Sequence, residues 1–189
     1  SRLTADKPGQ YSGAIKLNDD YTARQSKTLA HNKRLSFASK ITEVSKGNYL
    51  KKAKPLKNGL EYEAILQVRH KGGTVEASDG MLVFKDCDSL EIFLVAGTDY
   101  VMDHKRNWKG EHPHKRLNSQ LNKAAKFTYD QLLKRHIKEY QSFYKRLSID
   151  IGKTDESRKN LPTYKRVALY RTDTNDPDLE ELLFKFGRY

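Results

Sequence analysis

The segment richest in side chains suited to binding or catalysis is RNWKGEHPHK, residues 106–115. It contains the only tryptophan of the chain, Trp108, together with Glu111, His112 and His114. An aromatic ring stacks on the apolar face of a sugar, and carboxylate or imidazole groups hydrogen-bond to hydroxyls, so this loop is a candidate substrate-binding site. The simpler alternative is an ordered linker in which Trp108 packs against a neighbouring domain.

Metal binding is a weaker interpretation of the same loop. His112 and His114 are potential ligands, but no second carboxylate or cysteine stands at a ligand spacing beside them. The single cysteine, Cys87, excludes an intrachain disulfide and a cysteine-based zinc cluster, and its apolar surroundings predict a buried free thiol. We therefore predict no metal site and no cofactor.

Two pairs of carboxylates are close in sequence. Glu61 and Glu63 are two residues apart on a predicted strand, and Asp99 and Asp103 flank the exit of a later one. We interpret both pairs as solvated strand and loop charges rather than as acid–base couples. No catalytic residue is predicted in this chain.

The first half of the chain has the periodicity of strands. Apolar residues at every second position from Leu60 to Val68, with acids between them, predict an antiparallel strand with one solvated face. Residues 70–73, which end in two glycines, predict a hairpin turn. Further strands are predicted at the following positions: 1–17, 34–53, 74–77, 81–84 and 89–96.

The second half has helical periodicity. Leu117, Leu121 and Ala125 are spaced four apart, and Thr128 with Gln131 forms a capping box that predicts a new helix from Tyr129. His136 lies on the apolar stripe of that helix and is predicted to be a core histidine bonded to a backbone carbonyl. The alternating residues 147–151 then predict a short strand that returns to the sandwich.

The last helix has a complete start signal. Asp176 is its predicted N-cap and Pro177 its first residue, and acids follow in the first turn. The apolar face that follows needs a partner surface, and it consists of Leu179, Leu182, Leu183 and Phe186. No segment of the sequence is predicted to cover this apolar face, and the first residues are predicted to lie within a strand. We therefore expect the chain to be a piece of a larger protein.

The net charge of +12 and the pI near 9.6 raise the alternative of a basic nucleic-acid-binding module. The basic residues are spread from Arg2 to Arg188, and the strand from Leu60 carries acids, so we predict no nucleic-acid partner. No run of 18 or more apolar residues is present, so we also predict no membrane span.

Several segments together resemble glycoside hydrolase family 95, whose best-known members are α-L-fucosidases. The matching stretches are RLTADKPG, LEYEAILQVRHKGGTVEASDGMLVFKDCDSLEIFLVAGTDY, YDQLLKRHIKEYQSFYKRLSIDIG, LPTYKRV and DPDLEELLFKFGRY. In this order they resemble the back of the family's N-terminal β-supersandwich, its helical linker and the first helix of its (α/α)6 barrel.

The resemblance implies an enzyme that hydrolyses α-L-fucosides with inversion. Such chemistry needs one carboxylic acid and one base, held far enough apart to admit a water. The family places both on the barrel, beyond Tyr189, so no catalytic residue is carried over to this chain. Arg188 and Tyr189 end the family signature GRY and are expected to pack the first barrel helix, while Arg166 is expected to anchor the linker to the barrel.

The predicted fold is mainly β with α: a partial antiparallel β-sandwich over 1–100, a helical linker with a returning strand over 101–152, and a connector with the first barrel helix over 153–189. The predicted function is the non-catalytic part of an α-L-fucosidase. Its expected partners are a fucosylated oligosaccharide or polysaccharide, reached through the barrel, and the catalytic domain itself. A free-standing carbohydrate-binding sandwich is the alternative. By resemblance alone, a secreted or periplasmic bacterial enzyme is expected.

Overall fold

The structure, a computed structural model, describes residues 1–19, 27–44 and 54–188. Residues 45–53 of the predicted strand region lie outside the described residues. The chain divides into two compact units, Ser1–Tyr129 and Asp130–Tyr189.

The first unit contains two antiparallel sheets. Within the described residues the larger sheet has the strand order β1-β8-β5-β4-β3, and the smaller has the order β2-β7-β6. The strands are β1 Arg2–Thr4, β2 Tyr11–Lys16, β3 Leu29–His31, β4 Arg34–Val44, β5 Lys54–Lys71, β6 Thr74–Ser78, β7 Met81–Cys87 and β8 Ser89–Thr98. The predicted class, an antiparallel β-sandwich followed by helices, is confirmed.

The main core lies between strands of both sheets. From the long central strand β5, Leu66 and Val68 contribute to it. Its other buried members are Leu35, Val75, Leu82, Cys87 and Leu90. The prediction of a buried free thiol is therefore confirmed, and burial raises the pKa of Cys87.

The opposite face of β5 is covered as well. Helix α1, His114–Ala124, packs there through Leu117 and Leu121, which bury Ile65. Arg69 of β5 donates to the carbonyls of Ala125 and Phe127 just after the helix, at 3.1 and 3.0 Å. The prediction of one solvated face was wrong, because Ile65 lies among the acids and supplies the apolar contact on which the helix packs.

The glycine pair at 72–73 does not close a hairpin. Both residues have positive φ, but β6 pairs with β7 and not with β5, so the turn carries the chain from one sheet to the other. A Cβ at Gly73 would collide with the backbone of Lys85 and Asp86, which favours glycine there. The hairpin predicted at 70–73 was thus wrong, whereas Asp79-Gly80 does join the paired strands β6 and β7.

The second unit is helical. It contains most of α2, Tyr129–Tyr144, followed by α3 Glu156–Lys159, α4 Thr163–Tyr170 and α5 Pro177–Gly187. The helix start predicted by the capping box at Tyr129 is confirmed. No helix in the described ranges is both long and apolar enough to span a bilayer.

The strand predicted over 147–151 does not form. The backbone N–H of Ile151 donates to the Glu181 carboxylate at 3.1 Å, and that of Thr154 donates to Asp178 at 3.2 Å. Side chains of α5, rather than a neighbouring strand, therefore satisfy the backbone of this connector.

A buried ion pair joins α4 to the start of α5. Arg166 donates two hydrogen bonds to the Asp176 carboxylate, at 3.0 and 2.5 Å, and the Thr154 hydroxyl donates a third at 2.7 Å. Asp176 also accepts from the backbone N–H of Leu179, which confirms its prediction as N-cap. Chiefly because of Arg166, the pKa of Asp176 is lowered to about 2.

Arg188 connects α5 to the end of α2. Its guanidinium donates to the carbonyls of Leu147 and Tyr144 at 2.6 and 2.9 Å and lies over the rings of Tyr144 and Phe184. A cation at a helix C-terminus also interacts favourably with the helix dipole. These contacts are compatible with the packing role predicted for Arg188, whereas Tyr189, for which the same role was predicted, lies outside the described residues.

His136 is not a core residue. It is exposed on α2 and its ring stacks on that of Tyr140, with centroids 6.2 Å apart. Helix α2 has no fully buried residue, and Leu133, Ile137 and Phe143 on its apolar stripe are exposed too. The periodicity correctly predicted an amphipathic helix, but a histidine on such a stripe is buried only where another element covers it.

Candidate functional site

The segment predicted as a binding site, residues 106–115, is the later part of a loop that leaves β8 after Thr98, returns against β5 and leads into α1 at His114. At the start of this loop, Asp99 and Glu61 are joined twice: the Asp99 N–H donates to the Glu61 carbonyl, and the Glu61 N–H donates to the Asp99 carboxylate, both at 3.0 Å. The Asp99 side chain is only 2% exposed. A buried carboxylate therefore fixes the first residue of the loop to the central strand.

The loop is itself a small antiparallel ladder. Tyr100 pairs with Lys109, and the Val101 N–H donates to the Trp108 carbonyl at 3.1 Å. At the far end, a short 3-10 helix, His104–Arg106, is capped by Asp103, whose carboxylate accepts from the Lys105 N–H. These bonds give the backbone a defined shape on both sides of Trp108.

Two successive residues at the end of the 3-10 helix have left-handed backbone. Asn107 has φ of 52° and Trp108 has φ of 61°. Asparagine tolerates this region, but a bulky residue there is unusual and costs about 1–3 kcal/mol. The ladder on either side therefore holds Trp108 in a conformation that the residue would not adopt by itself.

This backbone places the indole beside a second aromatic ring. The rings of Trp108 and Tyr100 are parallel, with 1° between their planes and 6.3 Å between their centroids. Each residue is 49% exposed. We call this pair the aromatic platform.

A lysine joins the loop to two carboxylates. The Lys109 ammonium lies 3.3 Å from both Glu61 and Asp99. Burial alone would lower the pKa of Lys109, but the neighbouring Asp99 and Glu61 carboxylates outweigh that effect and raise it. The interpretation of Asp99 as a solvated charge was therefore wrong. Asp99 contacts Lys109 and the Glu61 backbone, whereas Asp103 caps the 3-10 helix, so these contacts are compatible with the conclusion that the two acids are not an acid–base couple.

The two histidines contact a third carboxylate. Glu63 is 5% exposed, and it accepts a hydrogen bond from His114 Nδ1 at 2.8 Å. His112 Nδ1 lies farther away, at 3.9 Å. The interpretation as a solvated charge was wrong for Glu63 too, because the loop and the start of α1 cover that part of β5.

The four predicted site residues thus fall into separate environments. Trp108 belongs to the aromatic platform, His112 and His114 contact Glu63, and Glu111 is exposed. In the ranges that the structure describes, no group of three or more His, Cys, Asp or Glu side chains is arranged to hold a metal ion. Tyr100 and the burial of Glu63 were not identified from the sequence. The burial of Glu63 could have been predicted from Ile65, an apolar residue on the strand face that was assigned to solvent.

Replacing His114 by alanine is expected to lower the free energy of unfolding of the first unit by about 1–3 kcal/mol, because it leaves a buried carboxylate without its closest donor. Thermal unfolding followed by Trp108 fluorescence measures this. His112→Ala is the matched control and should cost less, since His112 is beyond hydrogen-bonding distance of Glu63. Equal losses in the two variants would contradict the assignment.

A comparison with protein-family models gives a match that covers the second unit. Residues 128–189 match the model of the glycosyl hydrolase family 95 catalytic domain. The match begins two residues before the second compact unit.

Two curated proteins are similar over longer stretches. Alpha-L-fucosidase 2 from Arabidopsis thaliana is 31% identical over 142 residues, which is 69% of this chain and 16% of that protein. Probable alpha-fucosidase A from Aspergillus niger is 31% identical over 106 residues, which is 52% of this chain and 13% of that protein. The chain thus spans less than a fifth of the length of either relative.

These matches define the chain as part of a glycoside hydrolase. Within that class, the chain belongs to family 95.

Proposed function

We propose that this chain is the non-catalytic scaffold of an enzyme that hydrolyses α-L-fucosides with inversion, and that the catalytic acid and base lie outside these 189 residues. The main observation behind this proposal is that buried carboxylates of the chain already contact basic side chains of the same fold. Glu63 is bonded to His114, Asp99 lies next to Lys109, and Asp176 is bonded to Arg166. Each of them already has a partner within the fold.

Inverting hydrolysis makes different demands on its carboxyl groups. One must be protonated and reach the glycosidic oxygen, while the other must be ionised and activate a water, and the two carboxyl groups lie about 6.5–9.5 Å apart so that this water fits. A carboxylate bonded to a guanidinium, such as Asp176 with its pKa near 2, is a poor proton donor near neutral pH. The pattern of partners supports a structural role for these acids.

The helices of the second unit supply a surface for the rest of a catalytic domain. An apolar groove of about 500 Å³ lies between α4 and α5, and both helices fall inside the segment that matches the catalytic-domain model. Its lining includes Val167, Tyr170, Leu179, Leu182, Leu183 and Phe186. We expect further helices of the catalytic domain to pack in this groove, which would bury the exposed Leu183 and Phe186.

The loop over 106–115 is the part of the chain that we propose to contact substrate, with Trp108 as its main residue. Glu111 is exposed and available for hydroxyl groups, whereas His112 and His114 are better explained by their contacts with Glu63. We also propose, from the resemblance to the family, that the enzyme is exported from the cell; fractionation of the source organism tests this.

The activity is tested with a protein extended to the length of the relatives. That protein is expected to release fucose from a 2′-fucosylated oligosaccharide, with proton NMR showing the inverted anomer first, while the 189 residues alone release none. Turnover by the 189-residue chain would contradict the placement of the chemistry. Absence of turnover by the extended protein would contradict the fucosidase activity.

A free-standing carbohydrate-binding sandwich is the second candidate function. The aromatic platform favours it, since exposed parallel rings are suited to sugar faces without any catalytic group. The length of the encoded protein discriminates between the two, because a binding module needs no catalytic domain after it.

A further inference from the structure

We propose that the aromatic platform, Tyr100 and Trp108, is a binding site for a neutral fucosylated oligosaccharide, which it takes by stacking on the apolar face of a sugar ring. The class of ligand rests on the proposed function. The site rests on geometry: two parallel rings, each about half exposed, on a backbone fixed by ladder hydrogen bonds.

The strained backbone is the first supporting observation. Trp108 has a left-handed conformation that a bulky residue rarely adopts, and the flanking bonds from Val101 and to Asp103 maintain it. Strain of this kind is concentrated at functional sites, where the surrounding structure holds a side chain in one orientation. Here the strained residue is the one whose ring lies parallel to Tyr100 and in contact with solvent.

The second observation concerns the cations that lie over aromatic rings. Among the described residues, the guanidinium groups that lie over aromatic rings cover other rings: Phe93, Tyr129, Phe143, Tyr144 and Phe184. None of these cation–ring contacts of the described residues involves Tyr100 or Trp108. An uncharged aromatic ring suits the C–H face of a neutral sugar.

The third observation is the presence of exposed polar side chains on the same loop. Lys105, Arg106 and Glu111 are exposed on the loop that carries Trp108, and their side chains are donors and acceptors of the kind that bind sugar hydroxyl groups. Apolar surface with a few polar groups at its edge is the usual composition of a small-ligand site.

The chain provides its own probe for this site, because Trp108 is its only tryptophan. We would titrate the 189-residue chain with 2′-fucosyllactose and follow the tryptophan emission. A saturable change with a Kd in the millimolar range is expected. Sorbitol, which has hydroxyl groups but no ring face, should produce none. No saturable change with the oligosaccharide up to about 50 mM would overturn the proposal.

Variants of Tyr100 separate stacking from general effects on the loop. Tyr100→Ala is expected to weaken binding about tenfold, and Tyr100→Phe, which keeps the ring, should bind within about twofold of the original chain. Tyr164→Ala is the matched control and should change nothing, since Tyr164 is an exposed tyrosine of the second unit. Equal weakening by Tyr100→Phe and Tyr100→Ala, or by Tyr164→Ala, would overturn stacking at this site.

Binding and hydrolysis can fail independently. Saturable emission changes without fucose release by the extended protein would leave the platform as a sugar site and remove the fucosidase activity. Release of fucose by the extended protein without any emission change would support the fucosidase activity and contradict the platform as a sugar-binding site.

Discussion

Asp176→Asn is expected to lower the free energy of unfolding of the second unit by about 3–5 kcal/mol, because it leaves the buried guanidinium of Arg166 without its counter-charge. Asp176 has no exposed surface and accepts two hydrogen bonds from Arg166 and one from Thr154. Urea unfolding followed by circular dichroism at 222 nm measures the loss, since most of the helices belong to this unit.

Asp173→Asn is the matched control for this change. Asp173 also pairs with an arginine, Arg158, but its side chain is 66% exposed, so its loss should cost at most about 1 kcal/mol. If the two variants lost similar amounts of stability, the burial of the Arg166 pair would not be the cause.

The same carboxylate predicts how stability changes with pH. The pKa of Asp176 is about 2 in the folded chain and about 3.9 when unfolded, so its ionised form favours the folded state. This contribution is complete above about pH 4 and is lost as the pH falls towards 2. The original chain should therefore lose more stability between pH 4 and pH 2 than Asp176→Asn does; equal losses would contradict the lowered pKa.

Leu117→Ala is expected to lower the free energy of unfolding of the first unit by about 2–5 kcal/mol, because it opens a cavity between α1 and the sheet. Leu117 is fully buried and packs with Leu121 and Ile65. Trp108 fluorescence during urea unfolding is the measurement, since the loop that carries Trp108 leads directly into α1.

Leu94→Ala provides the comparison for that variant. This substitution removes the same atoms from a leucine of β8. Because Leu94 is 59% exposed, we expect the free energy of unfolding to fall by about 1 kcal/mol or less. A small loss for Leu117→Ala, similar to that of Leu94→Ala, would show that α1 does not stabilise the sheet.

Local signals in the sequence predicted the local structure. The capping box at Thr128 gave the start of α2, Asp176 and Pro177 gave the start of α5, and the spacing of Leu117 and Leu121 gave the buried face of α1. Each of these features depends on neighbours within about one helical turn, so the residues that decide them lie in one short window.

The errors depend on partners far away in sequence. Gly72-Gly73 marked a turn correctly, but a glycine pair does not say whether the flanking strands pair or belong to different sheets. Residues 147–151 alternate as a strand does, yet the acids of a helix 30 residues later satisfy the backbone N–H of Ile151. The domain boundaries at 100 and 152 stay a prediction.

The candidate site shows the same division. Composition singled out Trp108 and the two histidines, because rare residue types in a loop are visible without a structure. The contact of His114 with Glu63 joins residues that are 51 positions apart in sequence. The parallel arrangement of the Tyr100 and Trp108 rings depends on the left-handed backbone at Trp108, which no sequence pattern predicts.

The two-sided burial of β5 restricts how this strand can change in length. Leu66 and Val68 face the core between the sheets, while Glu63 and Ile65 face the loop and α1. Deleting a single residue between Gly59 and Glu63 would exchange these faces upstream of the deletion, whereas a deletion of two would preserve them. Homologous strands should therefore differ here by even numbers of residues, or carry a bulge that absorbs an odd one.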